Sequence, residues 1–223
     1  MKIAVAIDGP AAAGKSTIAK IVAKKMNLIY IDTGAMYRAF TWYCLSKGVD
    51  CQDQEACVKL IPEVKIELKA NNVVMCNDID VTRDIRLPNV SRNVSYIASY
   101  KEIRLALVDL QRAMAEHDSV IMDGRDIGTY VLPKAEVKIF QIASVETRAK
   151  RRYDENIEKG IPCTLEEIEE DVRRRDYIDS HRDFAPLKPA EDSIELDTSN
   201  LSIEEVVEEV IRIIKEKVGE LNA

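Results

Sequence analysis

Apolar positions fall in short blocks along this chain, and their spacing changes from block to block. Residues 3–7 form a continuous apolar run that ends at Asp8-Gly9, while Ile18, Ile21, Val22 and Met26 recur at three- and four-residue steps after Lys15. The first pattern predicts a buried strand and the second a helix with one apolar face. Residues 28–31 predict a second short strand, closed by Asp32-Thr33-Gly34, and a helix over 35–47 follows with Gly48 as its stop. Alternation of strand and helix in this order is the pattern of a parallel sheet.

Over 62–80 the pattern changes. Two short strands, 64–68 and 73–75, flank Asn71-Asn72, a turn pair that tolerates positive φ, and together they predict a small antiparallel insertion. Helical spacing returns over 100–117, and the runs 120–122, just before Asp123-Gly124, and 137–142 predict two further core strands. Two charged helices follow over 145–159 and 164–181, broken at Gly160-Ile161-Pro162; Thr164 with Glu167 forms a capping box for the second. Residues 194–197 predict the last strand. Ser202 with Glu205 opens a final amphipathic helix whose core face is Val206, Val207, Val210, Ile213 and Ile214. No repeat, low-complexity stretch or long linker interrupts the series.

Composition narrows the class. At 223 residues and 46% hydrophobic content, one compact enzyme domain with insertions fits. With 39 acidic against 32 basic residues the net charge is −7, which argues against a nucleic-acid or anionic-membrane binder, so an anionic ligand must meet a local basic cluster. The cysteines Cys44, Cys51, Cys57, Cys76 and Cys163 are odd in number and contain no C-x-x-C pair, so neither a disulfide framework nor a zinc site is expected. They read as reduced thiols of a soluble, cytoplasmic protein. The N-terminal apolar run is too short for a signal peptide, and no stretch approaches the ~20 apolar residues that span a bilayer.

Gly9, Pro10, Ala11, Ala12, Ala13, Gly14, Lys15 and Ser16 fit G-x-x-x-x-G-K-[ST] between a predicted strand and a predicted helix, the context this phosphate loop requires. Its backbone N–H groups close around a phosphate, and the helix N-terminus adds roughly half a positive charge. Lys15 is expected to reach the β- and γ-phosphates, and the Ser16 hydroxyl to ligate Mg²⁺. GTPases, ATPases and small-molecule kinases all use such a loop. The chain has no Asn-Lys-x-Asp guanine-reading motif, and its arginine-rich segment near the end suggests a kinase with a lid.

A hydroxyl acceptor would need a carboxylate to take its proton, whereas a nucleoside monophosphate brings an oxygen already largely deprotonated. The difficulty is then charge: two like unit charges ~4 Å apart repel by about 4 kcal/mol at an effective dielectric of ~20. Catalysis would rest on cationic clamping and positioning. Arg148, Arg151 and Arg152 fall within about one helical turn, and Arg173, Arg174 and Arg175 lie on the next helix. They either form the clamp or only pair with Asp154, Glu155, Glu169, Glu170 and Asp171 on solvated faces. Arg175, Asp179 and Arg182 share one helix face, which suits phosphate and hydroxyl recognition or an internal ion-pair ladder. Arg125 and Asp126 follow a strand end, where α/β proteins bind ligands, although a structural turn would also explain them. His117 is expected to cap a helix C-terminus, and His181 lies beside the site without an assigned role. Phe40, Trp42 and Tyr43 belong to the core, Tyr37 to the core or the pocket wall, and Cys163 is incidental.

Four motifs in order carry a resemblance: Ile7-Asp-Gly-Pro-Ala-Ala-Ala-Gly-Lys-Ser-Thr17, Asp32-Thr-Gly-Ala-Met-Tyr-Arg38, Asp123-Gly-Arg-Asp-Ile-Gly128 and His181-Arg-Asp-Phe-Ala-Pro-Leu187. With the antiparallel insertion between the second and third, the chain resembles the bacterial cytidylate kinase family from Ile3 to near its C-terminus. The resemblance implies an α/β fold: a P-loop NTPase-type core with a central five-stranded parallel sheet flanked by helices, an antiparallel insertion in the monophosphate-binding region, and a short helical lid. It divides the single domain 1–223 into a core (1–35, 101–147 and 185–223), a monophosphate-binding region (36–100) and a lid (148–184).

The implied activity is transfer of the γ-phosphoryl group of ATP to CMP or dCMP by a monomer that uses Mg²⁺. Lys15, Arg125, Arg151 and Arg175 would be catalytic, and Gly9 to Thr17 with Arg151 would hold ATP. Thr33, Arg38, Arg125 and Arg175 would contact the CMP phosphate and Asp179 the ribose, while Ser95, Arg104, Asp126 and Arg182 would meet the cytosine end beside Tyr37. Thr33 stands where relatives often have serine, and the hydroxyl is kept. Cytosine offers an amino donor beside two acceptors, which a carboxylate and a guanidinium satisfy together; uracil reverses the first two positions, so CMP should be preferred over UMP. Two rivals compete with this reading. One is another small P-loop kinase of shikimate or thymidylate type, although a shikimate-type kinase usually carries Asp-x-Asp after the second strand, where this chain has Asp32-Thr33-Gly34; the other is an ATP-binding adaptor, which would need no arginine clusters.

Overall fold

The alternation of buried runs and amphipathic segments folds into a parallel sheet wrapped by helices, described here by a computed structural model covering residues 2–158 and 160–222. The chain passes through β1 (Ala4–Asp8), α1 (Lys15–Met26), β2 (Ile29–Asp32), α2 (Thr33–Ser46) and α3 (Gln54–Lys59). The insertion comprises β3 (Ile66–Lys69), β4 (Val73–Cys76) and β5 (Ile79–Asp80), and is followed by α4 (Pro88–Ile97) and α5 (Lys101–Met114). β6 (Val120–Gly124), β7 (Val137–Ile142), α6 (Val145–Glu158), α7 (Leu165–His181), β8 (Ile194–Asp197) and α8 (Ile203–Asn222) complete the chain. Five strands pair in the order β2-β6-β1-β7-β8, all parallel, and β3-β4-β5 form the separate antiparallel sheet.

Strand register gathers acidic residues at one end of the sheet. Asp32 is level with Asp123, and Asp8 with Gly124, so three strands deliver buried carboxylates to one edge. Ligands of open α/β sheets bind outside this carboxyl edge. One sheet face packs α1 and α8 through Ile18, Val22, Val206, Val207, Val210, Ile213 and Ile214. Phe40 and Tyr43 bury against the insertion, with Trp42 packed partly against the same cluster. Asn71 and Asn72 take positive φ between β3 and β4, as the turn requires.

Several boundaries move, each for a local reason. α2 begins at Thr33 because the Asp32 carboxylate accepts the Ala35 N–H at 2.8 Å and caps it earlier than spacing alone suggests. α5 stops at Met114, where the Ala115 N–H closes the last turn, so His117 is not a helix cap: it lies exposed in the following turn beside Glu116. α3 and β5 are too short for spacing to reveal, and α4, although its buried Val90, Val94 and Ile97 share one face, is not among the predicted elements. Lys159, the expected last residue of the α6 helix, lies outside the described residues, as do the terminal residues 1 and 223 of the expected domain. The five cysteines are free thiols, and among the described residues no helix is long and apolar enough to cross a membrane.

Candidate active site

β1 delivers the phosphate loop over β7 at very close range. Gly9 has φ +149°, and a Cβ there would stand 2.0 Å from the Gln141 carbonyl oxygen, so only glycine fits. Gln141 Nε2 donates to the Ala13 carbonyl at 2.6 Å. From the other side, Arg148 Nη1 donates to the Ala11 carbonyl (2.9 Å), the Ala11 N–H donates to Asp176 Oδ1 (3.2 Å), and Arg148 and Asp176 are ion-paired at 2.6 Å. Arg148 is therefore not part of a mobile clamp. It is a buried brace that fixes the loop to α6 and α7.

Lys15 is also buried, its ammonium donating to the Gly9 and Pro10 carbonyls at 2.8 and 2.7 Å. Burial, and then the nearby Arg125 charge, hold its pKa well below the usual lysine value. Ser16 Oγ donates to Asp123 Oδ2 at 2.7 Å, while the Tyr30 hydroxyl donates to Oδ1 at 2.8 Å. Burial raises the Asp123 pKa, Asp32 raises it further, and Lys15 opposes both. The Ser16 hydroxyl and Asp123 carboxylate are two hard oxygen donors beside the loop, a set that suits Mg²⁺ when nucleotide phosphates and water supply the remaining ligands. Among the described residues no group of three or more acidic, His or Cys side chains is placed to hold a metal ion by itself. Asp123 has no role in the sequence motifs beyond its strand-end position. Its nearness to Ser16 follows from the parallel pairing of β6 with β1, which spacing does not reveal.

Across the cleft, Thr33 at the start of α2 donates its hydroxyl to the Asp123 carbonyl at 2.7 Å. Arg38 and Arg86 both bind Asp32, at 3.1 and 2.9 Å. Burial would raise the Asp32 carboxyl, but Arg38, Arg86 and the Ala35 N–H together hold it down at about 2. Arg86, from the turn after the insertion, is a cation that the motifs did not mark. Arg125 Nε donates to Asp179 Oδ2 at 2.8 Å, so Asp179 bonds across to β6 and the ladder within its own helix does not form. Arg175 lines the same cleft with its buried Nε unpartnered. Asp126 is ion-paired with Arg104, and Arg182 Nη2 lies 3.4 Å from its other oxygen. Arg104 also donates to the Ala98 carbonyl at 2.9 Å, and its guanidinium lies 5.2 Å from the centre of the Tyr37 ring. The Tyr37 hydroxyl is buried without a partner, and burial pushes its pKa up to about 12. Ser95 is buried on α4.

One cleft of about 920 Å³ brings these groups together: Ala12 to Thr17 and Arg151 on one side, and every acceptor-side residue implied by the resemblance on the other. Gly9, Pro10 and Ala11, the first residues of the loop, do not line the cleft. Arg151 sits at the donor end, with Nη2 2.6 Å from the Thr198 carbonyl and Nη1 3.5 Å from that of Ala13. Arg173 conforms to the solvated-face alternative, whereas Arg174 and Arg152 are partly buried. Arg173 is exposed and pairs with Glu169 at 2.6 Å; Arg174 pairs with Asp171 at 2.5 Å; Arg152 pairs with Glu155 while lining the cleft. His181 is exposed, stacked on Tyr177 at 4.2 Å, outside the cleft. Cys163 lines the cleft and packs against the cluster of Ala149, Ile168 and Val172.

A phosphate loop facing a second, separate wall of guanidinium groups suits the meeting of two anions, and the fold and site thereby define a P-loop kinase. Comparison with known proteins narrows this class. The family model for cytidylate kinase matches residues 5–216. Cytidylate kinases of Geobacillus sp. (strain WCH70) and Bacillus subtilis (strain 168) are 54% and 50% identical over 220 and 219 residues, 97% of this chain and 98% of each relative. This chain belongs to the cytidylate kinase family, whose members are nucleoside monophosphate kinases. Among solved structures, an uncharacterized protein from Eubacterium ventriosum superposes with a TM-score of 0.55 at 13% identity, covering 96% of this chain and 99% of the other. A gluconokinase from Sinorhizobium meliloti does so at 0.54 and 10%, covering 100% and 98%. These two share the fold alone.

Proposed function

We propose that this protein transfers the γ-phosphoryl group of ATP to CMP or dCMP, giving ADP and CDP or dCDP, without a general base. The observation that carries this reading is the single cleft in which Lys15 and Ser16 face Arg38, Arg125 and Arg175. The attacking oxygen is already anionic, so the protein's task is to hold two phosphate groups together in line against their repulsion. Lys15 engages the β- and γ-phosphates. Arg38, Arg125 and Arg175, with the Thr33 hydroxyl, hold the acceptor phosphate. Asp179 accepts from the ribose, and Arg151 steadies ATP at the donor end. Ser16 and Asp123 would hold the Mg²⁺ that such kinases use with ATP, and the ion when bound neutralises charge on the phosphates.

At the far end Asp126 accepts from the cytosine amino group while Arg104 or Arg182 donates to an acceptor, with Ser95 and Tyr37 completing the wall. Uracil would set a carbonyl against the buried Asp126 carboxylate, an unpaired arrangement that disfavours UMP. Residues 1–35, 101–147 and 185–223 act as the core, 36–100 as the monophosphate-binding region and 148–184 as the lid that excludes water. The protein works as a cytoplasmic monomer on small nucleotides, without nucleic-acid or membrane partners.

A coupled assay of ADP release with CMP, dCMP, UMP, AMP and shikimate tests the proposal. Release should depend on CMP or dCMP. Absence of CMP-dependent release would leave an ATP-binding protein without phosphotransfer.

A further inference from the structure

Asp126 is followed at once by a five-residue π-helical turn, Ile127–Val131, for which it is the N-terminal flanking residue. A short acidic side chain at such a position ordinarily folds back to accept the first free N–H groups of its own turn. Asp126 does not: its side chain makes no capping bond and instead meets Arg104 and Arg182 in the cleft. The two exposed donors are taken by a residue from another strand. Asp8, the last residue of β1, accepts the Ile127 N–H at Oδ1 (2.8 Å) and the Gly128 N–H at Oδ2 (2.7 Å). It is buried and lies outside the cleft lining.

We propose that Asp8 is a positioning residue for base recognition: by capping the turn after Asp126 from a neighbouring strand, it keeps the Asp126 carboxylate turned toward the cytosine end. This rests on the reading of Asp126 as the base-recognising carboxylate. With both N–H groups satisfied, Asp126 gains nothing by folding back. Without Asp8 two buried donors are orphaned, and the Gly128 N–H, second in the turn, is one that an N-terminal flanking side chain can serve, so Asp126 is drawn back toward it. Burial pushes the Asp8 carboxyl up to about 6 against the pull of both N–H groups, so the chain carries this charge inside despite its desolvation cost.

The experiment compares kcat/KM for CMP and UMP, and KM for ATP, in the wild-type chain, Asp8→Asn, Asp126→Asn and the double variant, with folding followed by circular dichroism and thermal melts. The Asp8→Asn amide can accept one of the two N–H groups but sets its own donor against the other. It should therefore reduce the CMP-over-UMP ratio by about tenfold or more, chiefly through KM for CMP, with KM for ATP within about twofold. The double variant should discriminate no worse than Asp126→Asn, because both changes act on one carboxylate. A wild-type ratio in Asp8→Asn beside an altered one in Asp126→Asn overturns the role of Asp8 alone. An unchanged ratio in Asp126→Asn removes Asp126 from base reading, and the Asp8 inference with it. If Asp8→Asn fails to fold, Asp8→Ser keeps one short acceptor near the turn and leaves the other N–H without its partner. It should lower the ratio in the same direction, and an unchanged ratio in the folded variant overturns the proposal.

Discussion

Arg125 takes the hydrogen bond of Asp179 and leaves the buried Nε of Arg175, one turn away on α7, with none among the described residues. Burial, and then repulsion by Arg125, lower the Arg175 pKa from the usual arginine value to about 10. A base with a folded value below its unfolded one resists charging in the native state. The resulting destabilisation is fully present below about 10 and vanishes only as pH rises through the unfolded arginine value. Arg175→Met should therefore raise the melting temperature of the nucleotide-free protein at pH 7 while lowering kcat/KM by roughly 10²–10³-fold. Calorimetry and steady-state kinetics on one preparation check both; a lower melting temperature with unchanged kcat would sink the assignment.

Asp32 should govern part of the acid limb of stability. Its carboxyl is depressed from 3.8 to about 2, so its contribution is present above 3.8 and is lost as pH falls through about 2. The shift corresponds to about 2 kcal/mol. Urea midpoints at pH 7 and pH 3 should show Asp32→Asn less stable than wild type at the higher pH and closer to it at the lower. A constant difference at both would mean that the ion pairs with Arg38 and Arg86 do not carry the effect.

Gly9→Ala should act on the donor side. Its added carbon meets backbone of β7 rather than a flexible side chain, so the loop must lift from its seat. We expect KM for ATP to rise at least about tenfold, with a lower melting temperature. Wild-type ATP kinetics in the Gly9→Ala variant would show that the loop tolerates a shift of this size.

Asp176→Asn tests the brace under the same loop. The Ala11 N–H keeps an acceptor, but Arg148 loses its charged partner while buried. KM for ATP should rise by about tenfold and KM for CMP stay within about twofold, since the acceptor cations are untouched. Equal changes in both constants would argue that α7 moves as a whole.

Much of this could be read from residue order, and the parts that could not share a cause. The strand, loop and helix around Lys15 and the core face of α8 are local patterns, a continuous apolar run or a period of 3.6, and they stand nearly where spacing puts them. The capping pairs Thr164–Glu167 and Ser202–Glu205 are local in the same sense. Asp8, Tyr30, Arg86 and Asp123 gain their meaning from register between strands, or from a turn brought back over the sheet. Nothing within a few residues of each announces it. The arginines of α6 and α7 could not be sorted by spacing, because Arg148, Arg173 and Arg175 have the same side chain. Arg148 is buried beneath the loop, Arg173 faces water, and Arg175 faces the cleft.

Asp32 and Asp179 also decide how the cleft treats ordinary salts. On the reading proposed above, an arriving phosphate would exchange one anionic partner of Arg38 or Arg125 for another, since each of these cations is already paired within a chain of charge −7. Preference emerges at contact, where a phosphate offers several oxygens to a guanidinium fork and chloride offers a single centre. On that reading the internal carboxylates would act as place-holders, insulating the enzyme from background electrolyte while leaving it open to nucleotide.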